Sequence, residues 1–138
     1  MNKMNNVLRD YGDYPLIFNI DRITKINPYF RTTLWTGTHL QLTLMSIQPK
    51  EDIGLERHPN LDQFIRIESG NALVKMGKNK NDLNYQRQAD SNYAIIIPAN
   101  TWHNIINIGE HPLKLYSVYA PPQHPFGTIH KTKEDAKE

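Results

Sequence analysis

Short apolar runs separated by turn residues constrain the fold of this chain more than any other feature. They recur about every 8–12 residues between positions 30 and 120, and most alternate apolar with polar side chains. A helical bundle would instead need apolar residues at every third or fourth position. The pattern therefore predicts an all-β domain of about eight or nine antiparallel strands, folded as a sandwich or a small barrel.

The alternation also places the individual strands. They are predicted at residues 31–36, 39–48, 62–69, 72–76, 83–87, 93–98, 102–108 and 113–120. Leu42 and Leu44 share one face of their strand, which predicts a single buried side. The run Ala94–Ile97 is apolar throughout, which predicts a strand buried on both sides.

The segments that flank the strand pattern are expected to be arms. Residues 1–14 are polar and predict a flexible arm or a short helical turn with little to bury. Residues 16–23 predict a first short strand or an arm packed on the barrel, and the prolines at 121–125 exclude a sheet interior. The predicted organisation is one domain with an N-terminal arm (1–29), a barrel (30–120) and a C-terminal tail (121–138).

Composition excludes several classes of function. With 16 Lys and Arg against 14 Asp and Glu, the net charge of +2 does not favour a nucleic-acid partner. No apolar run approaches the ~20 residues of a membrane span, and the N-terminus lacks a signal-peptide pattern. We therefore expect a soluble cytoplasmic protein. The absence of cysteine excludes thiolate ligands, so a transition-metal site would need His, carboxylate or amide groups.

Gln63 and His103 are the first candidates for a functional site. Each shares a strand face with isoleucines, so each side chain should point into the core. A buried polar group is costly unless a partner satisfies it, and for an isolated histidine a structural hydrogen bond is the commoner partner. His58 and Asn60 lie just before the strand that carries Gln63 and shift the balance towards a ligand site.

Imidazole and amide groups suit a divalent transition metal. The predicted ligands are His58, Gln63 and His103, with Asn60 as a weak ligand or as a hydrogen-bond donor to bound water or substrate. Such a set is compatible with Fe, Mn, Ni, Co or Zn. Because two histidines and a neutral amide leave the full charge on the ion, it should be strongly Lewis acidic.

The other four histidines carry weaker signals. His39 at a strand start and His111 in a Glu-His-Pro turn are predicted to lie on the surface. His124 and His130 flank a Pro-Phe-Gly segment in the tail, where they either fold over a pocket mouth or remain solvated. In the first case both would be pocket residues.

Two stretches resemble the motifs of the cupin family. The first family motif is G(X)5HXH(X)3–4E(X)6G, and His58 matches its first histidine. Asn60 then stands at the second histidine, Gln63 at the glutamate and Gly70 at the closing glycine, with shortened spacing. Two of the usual ligands would thus be uncharged amides.

The second family motif, G(X)5PXG(X)2H(X)3N, is matched more fully. Pro98, His103 and Asn107 stand at its conserved positions, whereas Asn92 and Asn100 stand at its two glycines. The segments 34–37, 58–64 and 119–125 also resemble a group of small single-domain bacterial cupins, often labelled by analogy with mannose-6-phosphate isomerase.

The resemblance implies a jelly-roll barrel, a divalent metal in its mouth, a small-molecule ligand and commonly a homodimer. It implies no single reaction, because this fold hosts isomerases, dioxygenases, decarboxylases, sugar binders and storage proteins. Two hypotheses follow. One is a metal-dependent enzyme, isomerase-like or dioxygenase-like, acting on a small polar metabolite. The other is a metal-free barrel that binds a sugar or another small ligand without catalysis.

Overall fold

The computed structural model describes residues 7–136. Its elements in chain order are α1 (Ile20–Ile26), β1 (Arg31–Thr36), β2 (Gln41–Ile47), β3 (Asp62–Ser69), β4 (Ala72–Gly77), β5 (Tyr85–Ala89), β6 (Ala94–Ile97), β7 (Trp102–Asn107), β8 (Leu113–Ala120), β9 (Ile129–His130) and a 3₁₀ helix (Glu134–Ala136). The predicted strand positions are confirmed to within a few residues, with β9 in addition.

The strands form two antiparallel sheets. The larger sheet has the order β6-β3-β8-β2-β1-β9, and the smaller has the order β5-β4-β7. Except for the pairs β1–β2 and β4–β5, neighbours in these orders are not consecutive in sequence, as in β3 beside β8 with Gln63 opposite Tyr119. The predicted all-β jelly roll is therefore confirmed.

The main core lies between the two sheets. Burial of large aliphatic side chains there stabilises the fold by about 1.5–3 kcal/mol each. The core residues come from both sheets and are Phe30, Met45, Ile47, Ile65, Ile67, Ala72, Val74, Met76, Ala89, Ile95, Ile97, Ile105, Leu113 and Leu115.

A second apolar cluster covers the outer face of the larger sheet. Leu42 and Leu44 on β2 pack there with Leu8 and Ile23, so β2 is buried on both faces rather than on one. Leu8 is only 3% exposed, and the expectation that residues up to 14 have little to bury is wrong for the described part of that arm. Residues 1–6 and 137–138 lie outside the described residues, so the predictions for them are not assessed.

Helix α1 replaces the strand or arm expected at residues 16–23. Asn19 caps it, because its side-chain oxygen accepts a hydrogen bond from the backbone N–H of Arg22 at 3.0 Å. Asp21 lies in the first turn and Lys25 in the last, which suits the helix dipole. With one buried stripe, this short helix can close the outer cluster.

Strand β6 differs from its prediction. Ile95 and Ile97 point into the core, but Ile96 is 59% exposed, so the strand is buried on one side only. The reason is its position: β6 ends the larger sheet, and the N-terminal segment covers the other part of that sheet. A continuous apolar run cannot by itself distinguish these two cases.

The tail returns to the barrel. Strand β9 pairs with β1, which places His130 directly opposite Arg31. Farther back along the tail, the buried side chain of Gln41 donates to the carbonyl of His124 at 2.8 Å and accepts from its N–H at 2.9 Å. These contacts hold the tail against one end of the barrel. No helix within residues 7–136 is long and apolar enough to cross a membrane.

The outer cluster makes a stability prediction. Leu8→Ala should lower the free energy of unfolding by about 2–5 kcal/mol, because it removes a buried side chain from a packed cluster. Ile17→Ala, in the same segment but fully exposed, should change it by less than about 0.5 kcal/mol. Urea unfolding measures both. Equal effects of the two substitutions would contradict the packing of the arm on the sheet.

Candidate metal centre

Three side chains converge at one end of the barrel. The carboxylate oxygen Oε1 of Glu56 lies 3.2 Å from Nε2 of His58 and 3.4 Å from Nε2 of His103. One potential ligand atom from each residue lies within 4.8 Å of the other two. Among the described residues, this is the group of His, Asp and Glu side chains that can hold a metal ion. Glu56 was not predicted from the sequence.

Backbone pairing brings Glu56 to His103. The N–H of Glu56 donates to the carbonyl of His103 at 3.0 Å, and the N–H of His103 donates to the carbonyl of Glu56 at 2.9 Å. Because the segment is extended at this point, residues 56 and 58 point to the same side. Arg57 points the other way, with its guanidinium 5.2 Å from the centre of the Trp102 ring.

His103 is the buried member of the cluster and is fully excluded from solvent. Its Nδ1 lies 2.9 Å from the carbonyl oxygen of Thr101, which can only accept, so Nδ1 carries a proton. Nε2 is buried and makes no hydrogen bond within residues 7–136. In the neutral ring its lone pair therefore faces the Glu56 carboxylate, and two acceptors in this position require a proton or a cation between them.

Glu56 is an anion at neutral pH. Burial alone would raise the pKa of its carboxyl group, but the interactions with the neighbouring His103 and His58 rings outweigh burial and lower the pKa to about 2. Its side chain is 30% exposed, so solvent or a ligand can reach it. A carboxylate and two imidazoles form a donor set that fits a divalent transition metal.

Gln63 lies on β3 with its side chain directed into the barrel. It is 4% exposed, and its Nε2 donates to Oγ of Ser117 at 2.8 Å. Its amide oxygen is buried without a hydrogen-bond partner among the described residues. Opposite Gln63 on β8 is Tyr119, whose ring contacts His58 edge-on at 5.9 Å between centroids. Gln63 is therefore paired with a residue, Tyr119, that contacts His58 of the cluster.

The other sequence candidates are placed as follows. Asn60 is exposed on the turn before β3. His124 and His130 line a cavity of about 480 Å³ together with Glu56 and His58. His39 and His111 are exposed, as predicted.

The position of Glu56 changes how the first cupin motif fits this chain. With His58 at the second histidine, Glu56 occupies the position of the first. Gln63 then follows after four residues and Gly70 after six more, so no spacing is shortened. The motif pattern alone contained this signal, and we adopt this alignment in place of the one that assigned Asn60 to the second histidine.

Backbone conformation supports the new alignment. The glycines of the two motifs fall at Lys50, Gly70, Asn92 and Asn100. All four have positive φ, namely 71°, 111°, 76° and 67°, and no other non-glycine residue among 7–136 does. Positive φ is uncommon outside glycine and best tolerated by Asn. The chain therefore has the turns of the family with other residues at three of the four glycine positions.

Two of these positions have direct structural roles. The N–H of Asn100 donates to the carbonyl of His58 at 2.8 Å, so the turn before β7 fixes the backbone of a cluster residue. At Gly70, whose φ is 111°, a Cβ would lie 3.0 Å from Cα of Leu113, so both conformation and space favour glycine. Asn107 is also structural, because its side chain donates to the carbonyls of Ile47 and His111 at 2.8 and 2.9 Å.

The cavity predicts how stability depends on pH. Burial and the charge of Arg31 lower the pKa of His124 from 6.5 to about 4, against the opposing charge of Glu56. As pH falls, the unfolded chain therefore binds this proton first, and the folded state loses stability between pH 6.5 and 4. The carboxyl of Glu56 titrates near 4.5 when unfolded and near 2 when folded, which extends the loss below pH 4.5.

In metal-depleted protein, His124→Gln should reduce the pH dependence of the free energy of unfolding between pH 6.5 and 4. His39→Gln, at an exposed site, should leave that dependence unchanged. Thermal unfolding at constant ionic strength measures the difference. Identical pH profiles for wild type and His124→Gln would contradict the burial of His124 as a neutral ring.

Comparison with known proteins identifies relatives along nearly the whole chain. A cupin-domain family model matches residues 43–119. The uncharacterized protein YrkC of Bacillus subtilis (strain 168) is 62% identical over 132 residues, covering 96% of this chain and 71% of the relative. An uncharacterized protein of Acanthamoeba polyphaga mimivirus is 46% identical over 114 residues, covering 82% of this chain and 69% of the relative.

A solved structure has the same shape. The crystal structure of BH2720 from Bacillus halodurans, at 1.41 Å resolution, superposes with a TM-score of 0.92 and 58% sequence identity. The match covers 93% of this chain and 97% of that one. The matched family model runs from β2 to β8 and includes Glu56, His58, Gln63 and His103. On these matches, together with the jelly-roll fold and the two motifs, the chain belongs to the cupin family.

Proposed function

We propose that this protein binds a divalent transition metal through Glu56, His58 and His103 and acts as an enzyme on a small polar metabolite. The observation that carries the proposal is the convergence of Nε2 of His58 and the buried Nε2 of His103 on one carboxylate oxygen of Glu56, at 3.2 and 3.4 Å. Because lone pairs at these distances need a proton or a cation between them, a divalent metal ion fits the position that these three side chains surround.

The donor set narrows the choice of ion. Two histidines and one carboxylate with open positions are typical of non-haem iron sites, and the same donors also serve in catalytic zinc sites. The carboxylate of Glu56 compensates one charge of the ion, so the centre would carry about +1 rather than the +2 expected with Gln63 as the third ligand. Fe, Mn, Ni, Co and Zn all remain compatible with these ligands.

Gln63 is proposed as a neutral fourth ligand or as a group that orients one. Its amide oxygen has no other hydrogen-bond partner among the described residues, while Ser117 holds its nitrogen. The hydrogen bond to Ser117 fixes the rotamer of Gln63 and leaves its amide oxygen for the centre, an arrangement typical of groups that support metal ligands.

The residues around the cavity can bind a substrate and move a proton. A bound ion would polarise a carbonyl or hydroxyl oxygen of the substrate. His124 lies in the same cavity, is neutral at neutral pH because its pKa is about 4, and has a buried Nε2 without a partner within residues 7–136. It can therefore accept a proton from a substrate, as an isomerase-like reaction requires.

Dioxygenase-like chemistry is the second candidate for the same centre, favoured by the two-histidine, one-carboxylate set. A metal-free ligand-binding barrel is the alternative from another class. It differs in one measurable way, because its ligands should still stabilise the protein when the histidines of the cluster are replaced.

Metal content tests the proposal first. Protein purified without an affinity tag should take up about one equivalent of a divalent transition metal, measured by elemental analysis. Glu56→Gln should weaken binding by at least about 100-fold, since even residues that only support metal ligands are worth 10–100-fold. Glu110→Gln, at an exposed turn residue, should leave affinity unchanged. No uptake by the wild type, or equal affinity in Glu56→Gln, would remove the proposal.

Gln63→Glu tests the fourth position. A carboxylate there should tighten metal binding by about tenfold or more if residue 63 contacts the ion, because a charged oxygen is a stronger ligand than an amide. In metal-depleted protein the same substitution should be destabilising, because it buries a second carboxylate near Glu56. Competition titration measures the affinity, and an unchanged value would show that residue 63 does not contact the ion.

A further inference from the structure

A buried cation lies in the wall of the cavity that contains Glu56 and His58. Arg31, at the start of β1, is 5% exposed and lines this cavity. Among residues 7–136, no carboxylate forms an ion pair with it. Transfer of a guanidinium out of water is costly unless an opposite charge and hydrogen bonds compensate it. Arg31 therefore needs an explanation that the rest of the fold does not supply.

The contacts that Arg31 makes within the chain are weak compensation. Its Nη1 lies 3.0 Å from Nδ1 of His130, an imidazole rather than a carboxylate, and its guanidinium lies 5.3 Å from the centre of the Phe30 ring. Its Nε is buried and makes no hydrogen bond within the described residues. A structural arginine at this burial would normally make bidentate contacts to a carboxylate. Here part of the fork is free for another acceptor.

A row of aromatic side chains connects Arg31 with His58 at the other end of the cavity. The pairing of β9 with β1 places His130 opposite Arg31, and ring contacts continue from His130 to His124 at 6.5 Å and from His124 to Tyr119 at 5.3 Å. Tyr119 contacts His58. The same cavity is lined by Arg31 and by two of the proposed metal ligands, Glu56 and His58, with His124 between them.

His124 provides a second donor or acceptor beside the cation. Its ring lies in the same cavity wall, with ring centroids 6.5 Å from His130 on the side of Arg31 and 5.3 Å from Tyr119 on the side of His58. Gln41 fixes its backbone, so the ring position does not depend on a free tail. A volume of about 480 Å³ lies within the usual range of small-ligand pockets, about 300–1,000 Å³.

We propose that Arg31 binds the anionic group of the substrate, so that the protein acts on a small molecule with a carboxylate or phosphate group at one end and a metal-binding oxygen at the other. The second contact rests on the proposed metal centre, whereas the first does not. A planar guanidinium recognises both oxyanions through paired hydrogen bonds. Ligand binding would supply the negative charge that no carboxylate within residues 7–136 supplies to Arg31 through an ion pair.

Isothermal titration with three small probes tests the proposal in metal-loaded protein at constant ionic strength. Glycolate carries a carboxylate and a hydroxyl, inorganic phosphate is the other oxyanion, and ethylene glycol is neutral. We expect at least one anion to bind and ethylene glycol not to bind. Preference between glycolate and phosphate identifies which oxyanion the substrate carries. Failure of both anions to bind would overturn the proposal.

Substitution of the cation gives the sharper comparison. Arg31→Gln should weaken anion binding by about tenfold or more, because it removes charged hydrogen bonds. Arg31→Lys should lose less, since it keeps the charge but not the fork. Arg87→Gln, at an exposed arginine on β5, should bind as the wild type does. Equal anion affinity in Arg31→Gln and wild type would overturn the proposal.

Two further measurements separate this inference from the proposed function. In metal-depleted protein, the anion should still bind in an Arg31-dependent way. Arg31-dependent anion binding without metal uptake would support the anion site and rule out the metal centre. Metal uptake with unchanged anion binding in Arg31→Gln would support the metal centre and rule out the anion site. If Arg31→Gln does not fold, the ¹⁵N-detected Nε–H resonance of Arg31 in the wild type decides. Its shift on anion addition supports the proposal, and binding without a shift overturns it.

Discussion

The pairing of Glu56 with His103 is the contact on which the candidate site depends. Two backbone hydrogen bonds join an irregular segment to β7, and they place a carboxylate against a fully buried imidazole. The second motif then fixes the neighbouring His58 through the N–H of Asn100. Because these are main-chain contacts, the cluster is held by the fold rather than by its own side chains. A site of this kind is preorganised, as ligand binding requires.

The second constraint is the closure of the cavity by the tail. Strand β9 and the side chain of Gln41 hold residues 123–130 against the barrel, which turns the open end of the jelly roll into a lined pocket. The same closure buries Arg31 and partly buries His124, groups that would be solvated on an open barrel. One end of the pocket thus carries a cation and the other a carboxylate with two imidazoles. This arrangement is the reason for proposing a substrate with an anionic group at one end and a metal-binding oxygen at the other.

The fold class could be predicted from the sequence because the alternation of apolar and polar residues is a local pattern within each strand. Period-two patterning records which face of a strand is buried, and it correctly placed Gln63 and His103 inside the barrel. It misjudged Ala94–Ile97 and the first described residues, because covering a sheet face depends on segments elsewhere in the chain. The helix at Ile20–Ile26 was missed although its cap at Asn19 is a local signal.

The sequence by itself determined the two-sheet barrel, the family motifs and two histidines of the cluster, since these depend on local patterns and fixed spacing. The motif spacing also contained the position of Glu56, but the tertiary structure decided that its carboxylate meets these histidines, because its pairing partner is a β7 residue far along the chain. Tertiary structure likewise decided that Arg31 is a buried cation, since its burial depends on strand β9 nearly one hundred residues away. The burial and the electrostatic environment of a charged side chain depend on the residues around it, and here those residues are distant in sequence.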